Sequence, residues 1–337
     1  MAGEGTGGGD ERGRARLKVY RGGRARAERP RPSSPRDVAR RLGALERRVE
    51  QALAAASGGG PGASGDLVRF VADEVLGAVA RARRLTARDL GTAFDDLGGE
   101  LTDAILEGLY RYWWRVEPMG LDRVPATGRV ILVANRGGAL LPYEALMVRV
   151  AVRRAHPLLD DWIGDLPLLG TVLGHAGAVR AAPATVRRRL ARGEAVIASP
   201  ETNHPKPFRE RYRLGRFGRG AFARLAIETG TPIVPVAVIG AEEVHPVLAR
   251  LDLPGRFLGL PTLPITPTFP WLGLLGLVPL PTKWSLLFGE PLDVAARHPA
   301  SDASDAALVA RLRDQVRERL QALVLEGLRR RRALFRG

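Results

Sequence analysis

The sequence predicts an α/β domain: a mainly parallel sheet flanked by helices, with a helical extension on its N-terminal side. Two observations carry this. From residue 128 onward, apolar runs of five to seven residues alternate with stretches of helical spacing, the order that builds strand–helix–strand units. The runs are apolar throughout rather than at every second residue, which is the pattern of strands covered on both faces.

The elements follow in order. Residues 1–35 hold eight Gly, three Pro and scattered Arg without apolar periodicity, the composition of a disordered basic tail. They lack the apolar run of a signal peptide, so export is not expected. Residues 36–65 read as a helix, with Val38, Leu42, Leu45, Val49 and Leu53 on one face, and a Gly-rich linker from Ser57 to Gly65. Residues 66–127 hold helical stretches over 66–86 and 87–116. The second ends in Leu109, Tyr110, Tyr112, Trp113 and Trp114, a cluster suited to a core or to a membrane interface.

The α/β domain is expected over 128–300. Its strands are VILVA (130–134), AVIAS (195–199), IVPVAVI (233–239) and WSLLF (284–288), with helices over 144–154, 183–192 and 218–229. Residues 301–337 form a closing basic helix from about 303 to 333. Between the last two strands, Phe257–Thr282 carries no charge over 26 residues but contains six Pro. Prolines at that density prevent a regular helix, so the stretch is either a loop over the sheet or an apolar surface dipping into a membrane.

Composition narrows the function classes. With 45% hydrophobic residues the chain can bury a substantial core. Zero cysteines exclude disulfides, thiolate-ligated metals and a thiol nucleophile, and no metal site is expected. The net charge of +16 is not uniform. Residues 1–35, 203–224 and 311–337 carry about +5, +6 and +6, and the remainder is near neutral. All but three of the 52 basic residues are Arg, and no base-reading motif accompanies them, so specific nucleic-acid binding is not expected. Basic patches of this kind suit an anionic membrane surface. The run Arg329–Arg332, beside Leu334 and Phe335, has the composition of such an anchor.

Two loops are candidates for chemistry. VANRGGALLPYEALM (133–147) and IASPETNHPKPFRERYRLGRFGRGAF (197–222) each follow a strand, placing them at the carboxyl end of the sheet where α/β proteins bind ligands. The second is dense in Arg, whose guanidinium forks grip phosphate oxygens.

These loops, with HAGAVRAAP (175–183) and TPIVPVAVIGAEE (231–243), resemble four ordered blocks of the glycerolipid acyltransferases. That family includes the glycerol-3-phosphate and 1-acylglycerol-3-phosphate acyltransferases. The resemblance spans roughly residues 105–295. It implies a glycerolipid acyltransferase-like α/β fold and acyl transfer from an acyl thioester (acyl-CoA or acyl-carrier protein as co-substrate, no cofactor) to a hydroxyl of a phosphorylated glycerolipid. It also implies a cytoplasmic protein, peripheral on the inner face of the membrane. In that family a His is the general base on the hydroxyl and an Asp orients it. Here the His position is Arg136 and the Asp position is Glu144, seven residues further on. The two could form an ion pair. Arg180 matches the phosphate Arg of the second block, and Glu201, Lys206, Arg209, Arg211 and Arg213 match the phosphate-side residues of the third.

An Arg stays protonated in proteins and cannot accept the hydroxyl proton. Weak or absent transfer by the usual mechanism is therefore expected. Two alternatives stay open: an active acyltransferase using a displaced base such as His204, and a non-catalytic lipid-binding or regulatory protein.

Overall fold

The structure is a computed structural model. It describes residues 90–137, 141–160, 169–202, 206–251, 263–267 and 278–331, with isolated positions at 44, 47, 51, 54, 66, 69, 70, 73, 76, 77, 163 and 271. The basic tail 1–35 and the linker 57–65 lie outside the described residues. Of the stretches 36–56 and 66–86, only isolated positions are described, and all of them are helical.

The chain enters through α1 (Leu90–Gly108), whose last turn widens into a π-helical stretch, Leu109–Trp113. Then follow β1 (Glu117–Met119), β2 (Val130–Ala134), α2 (Tyr143–Ala151), β3 (Ala155–Leu159), α3 (Leu169–His175) and β4 (Val179–Arg180). Next come α4 (Pro183–Ala191), β5 (Ala195–Ala198), α5 (Ala221–Thr229) and β6 (Ile233–Ile239). β7 (Ala249–Leu251), β8 (Leu263–Ile265), β9 (Ser285–Phe288) and α6 (Ala306–Arg330) complete the chain.

Seven strands form one sheet in the order β1-β9-β6-β2-β5-β3-β4. Every pairing is parallel except β6 with β9. β7 and β8 form a separate antiparallel pair. The mainly parallel sheet flanked by helices is thus the observed architecture, and all four expected strands are present. β1, β3 and β4 carried no strand signal: β4 has two residues, β1 contains Pro118, and β3 reads AHPLL with Pro157 inside. Such short, proline-bearing segments become strands because a preformed neighbour supplies their partners.

Burial explains the continuous apolar runs. In β2, Val130, Leu132 and Ala134 pack with α1, α2 and α3 through Leu106, Met147, Val148 and Leu173. Ile131 and Val133 pack on the other face with α4, α5 and α6 through Val186, Ile227, Val316 and Leu320. The aromatic cluster belongs to the first face. Trp114 is fully buried, stacks on Trp284 with centroids 4.5 Å apart, and donates its indole N–H to the Leu280 carbonyl (3.0 Å). The core reading holds for Trp114, and β1 and α6 belong to the same body as residues 128–300.

No helix among the described residues is long and apolar enough to cross a membrane. Of the uncharged stretch 257–282, the described parts are divided. Thr266 and Thr282 are buried, whereas Trp271 and Val278 are exposed.

Candidate functional site

The parallel strands β2, β5 and β6 lie side by side, so their carboxyl ends open onto one edge of the sheet. The first residue beyond β2 is Asn135, fully buried. Its side-chain N–H donates to the Val238 carbonyl (2.9 Å) and its oxygen accepts the Val238 N–H (2.6 Å). These two hydrogen bonds tie the end of β2 to β6. Two residues on, Gly137 lies so close to the turn after β6 that a Cβ there would stand 2.3 Å from the Cβ of Ala241. The Gly is a requirement of that approach.

Arg136 sits between these two constraints, and its backbone N–H donates to Oε1 of Glu201, just past β5 (2.9 Å). Glu201 is buried, and its Oε2 accepts from the Gly215 N–H (2.8 Å) and from Nζ of Lys206 (3.1 Å). The Lys206 ammonium also donates to Oε1 of Glu242 (3.0 Å), in the turn after β6, and to the Arg213 carbonyl (3.0 Å). Glu242 Oε2 accepts the Tyr212 N–H (2.8 Å). The Tyr212 hydroxyl donates to Glu243 Oε1 (2.8 Å) and accepts from the Gly240 N–H (3.0 Å). Arg331, at the end of α6, closes the network on Glu243 (2.6 Å) and on the Lys283 carbonyl (3.0 Å).

Burial sets the charges of this network. Desolvation pushes the Glu242 carboxyl up to about 7 even though Lys206 and the Tyr212 amide pull the other way. For Lys206, desolvation works against the ammonium, but Glu242 and Glu201 outweigh it and hold its pKa above the usual lysine value. The Tyr212 phenol is raised well above its usual value by burial and then by Glu243. Burial lifts the Tyr143 phenol, at the start of α2, to about 12. Near neutral pH the network therefore holds a fixed lysine cation, and Glu242 carries a proton part of the time.

The expected site residues fall into three groups. Arg136, Glu201 and Lys206 are brought together at the strand ends. The guanidinium of Arg136 pairs with Asp160, just past β3, at 2.6 Å. Its ion pair is thus with Asp160 rather than Glu144, because the buried first turn of α2 holds Glu144 in the interior. Arg180 ends β4 in register with Leu159, one residue before Asp160, and is exposed. Arg209, Arg211 and Arg213 are exposed on the loop after β5, and the Arg211 guanidinium lies over the Phe208 ring at 4.3 Å. His204 lies outside the described residues.

Sequence reasoning missed Asp160, Tyr212, Glu242, Glu243 and Arg331. Glu242 and Glu243 stood in the fourth block but had no visible partner. Tyr212 had no signal beyond lying in the Arg-rich loop, where it adopts a left-handed backbone with φ 64°. Among the described residues no group of His, Asp and Glu could hold a metal ion. Chemically, the edge offers a buried, pinned cation in a loop that also carries exposed arginines. No imidazole occupies the Arg136 position.

No known protein-family profile matches the chain. Over 242 residues it is 42% identical to the Uncharacterized protein Rv0502 of Mycobacterium tuberculosis, covering 69% of this chain and 67% of that one. A relative from Mycobacterium leprae, ML2427, is 40% identical over 69% of this chain and 65% of its own length. A Gallus gallus protein named as a DGAT1/2-independent enzyme synthesizing storage lipids is 24% identical over 57% of each chain. Among solved structures, the 1-acyl-sn-glycerophosphate acyltransferase PlsC of Thermotoga maritima aligns with a TM-score of 0.47 and 17% identity. That alignment covers 75% of this chain and 88% of the other.

Proposed function

The chain belongs to one family with these mycobacterial proteins, and from that premise we propose that it is a lipid-binding protein of the glycerolipid acyltransferase kind. It holds a phosphorylated glycerolipid and an acyl thioester at the carboxyl edge of its sheet, at a membrane surface, without the usual histidine-based acyl transfer. One observation carries this reading. Blocks far apart in sequence supply one continuous cluster: the Arg136 amide on Glu201, Glu201 on Lys206, and Lys206 on Glu242. This clustering of blocks that resemble lipid acyltransferases in order supports reading them as one site. The name of the chicken relative, a lipid-synthesising enzyme, supports the substrate class.

Acyl transfer requires the acceptor oxygen to lose its proton as it attacks the thioester carbonyl, with the C–S bond breaking afterwards. The base must have a pKa near the working pH. At the end of β2 the protein offers a guanidinium, permanently protonated and neutralised by Asp160. Lys206 is committed to two carboxylates and a carbonyl, so it organises the loop. The lipid phosphate is then left to the exposed guanidinium groups of Arg180, Arg209, Arg211 and Arg213.

The test pairs calorimetric binding of a short-chain lysophosphatidic acid with an acyl-CoA turnover assay, on wild type and on Arg136→His. Wild type is expected to bind and not to turn over. Arg136→His is expected to gain rate by ~10²-fold or more over the wild-type background, the usual contribution of a positioned base. Wild-type turnover on the order of 1 s⁻¹ or faster, within the ordinary enzyme range, sinks the proposal. Loss of that turnover in His204→Ala would then assign the displaced base.

A further inference from the structure

The arginine loop is joined to a surface of different character. The Phe208 N–H donates to the Val247 carbonyl (2.9 Å), and the Leu248 N–H donates to the Ile265 carbonyl (2.8 Å). The loop, β7 and β8 are therefore linked by hydrogen bonds through consecutive residues. On the loop side Arg209, Arg211, Arg213, Arg216 and Arg219 are exposed, with Glu210 as the single acid of residues 203–224. On the other side Leu248 is 62% exposed, Trp271 74% and Val278 51%. Three of the seven large hydrophobic residues exposed among the described residues thus fall in one connection, between β6 and β9. Trp271 stands six residues beyond Ile265, a chain reach of at most about 20 Å. It also lies within the uncharged run Phe257–Thr282.

We propose that this face docks on an anionic phospholipid bilayer. Trp271 and Leu248 enter to interfacial depth and the arginine loop lies on the headgroups. Charge complementarity selects the occupant: guanidinium groups pair with headgroup phosphates, and an indole beside them settles at the interface between headgroups and acyl chains. A nucleic acid would occupy the guanidinium groups but leave Leu248, Trp271 and Val278 in water. In the C-terminal run, the Arg331 side chain is 10% exposed and turned inward onto Glu243. The inference rests on the lipid reading of the same site. The loop that meets the bilayer is the one Lys206 anchors, so a lipid acceptor reaches the site from the membrane.

The experiment uses the full chain with vesicles of phosphatidylglycerol or of pure phosphatidylcholine. Wild type is expected to co-sediment with the phosphatidylglycerol vesicles at low salt and to show a blue shift in tryptophan emission. Trp271→Phe should bind and lose most of that shift. Trp271→Glu should weaken partitioning by about tenfold, and each reversal among Arg209→Glu, Arg211→Glu and Arg213→Glu by about fivefold. Unchanged unfolding midpoints certify that the variants are folded. An emission shift that persists in Trp271→Phe overturns the proposal, as does wild-type-like vesicle binding by both Trp271→Glu and the triple reversal. Binding to poly(U) that exceeds vesicle binding and ignores Trp271→Glu overturns it in favour of nucleic acid. Binding of short-chain lysophosphatidic acid in solution is read on the same proteins. In Trp271→Glu, which lies outside the phosphate-binding arginines, loss of vesicle binding with that binding retained supports the docking face. Wild type that binds vesicles but not the soluble lipid keeps the docking face and fails the site's lipid reading.

Discussion

Glu242 is a residue whose environment changes its charge near neutral pH. Its carboxyl is raised to about 7, against 4.5 for the ordinary group, with burial as the main cause. The native state therefore holds a proton that the unfolded chain releases between those values. Stability contributed by that proton is present below the ordinary carboxyl range and is lost as pH rises toward and through about 7. Glu242→Gln keeps an acceptor for Lys206 and removes the titration. Thermal unfolding of this variant should be flatter between pH 5 and 8 than wild type, with a crossover worth on the order of 1–3 kcal/mol. Parallel pH profiles for the two proteins would contradict the assignment. Arg136 teaches a related lesson: its place just beyond β2 was legible in the sequence, whereas its partner was not. Glu144 was the carboxylate within sequence reach, but the helix that carries it turns it inward, and Asp160 comes from the neighbouring strand.

At the scale of the element, the segment leaving β2 is fixed by two contacts. Asn135 is bonded twice to β6, and Gly137 is flush against Ala241. A methyl at 137 has no flexible neighbour to displace, since the obstructing atom is itself a Cβ on a short 3₁₀ turn. Gly137→Ala should cost about 1–3 kcal/mol in denaturant unfolding. It should also weaken lipid binding more than a distant substitution of equal stability cost, because the Arg136 amide moves off Glu201. Equal binding losses in the two variants would show that the approach serves packing alone. The loop after β5 is held from the far side by α6: Arg317 donates to the Leu214 and Gly215 carbonyls at 2.9 Å each, and Gln321 both donates to and accepts from its backbone. The basic closing helix is thus also the splint of the loop after β5.

Across the whole molecule, α6 joins the ends of the chain's argument. Val309, Leu312, Val316, Leu320 and Val324 lie buried on one face of the sheet. Leu320→Ala should cost about 2–5 kcal/mol and lower the midpoint of a single transition, since the helix and the sheet share one core; a separate early transition for α6 would refute that. The apolar runs in this sequence determined the strands VILVA, AVIAS, IVPVAVI and WSLLF, because a strand buried on both faces has no polar alternation to obscure it. The order of strands and loops also determined which loops gather together, since carboxyl ends of parallel strands meet at one edge. The sequence did not determine β1, β3 and β4, whose pairing is conferred by neighbours. It could not determine the relay from Arg136 through Glu201 and Lys206 to Glu242, and from Tyr212 through Glu243 to Arg331. Those partners lie as far as 88 residues apart, and a hydrogen bond between them depends on angstrom-scale approach that only the folded sheet and its closing helix provide.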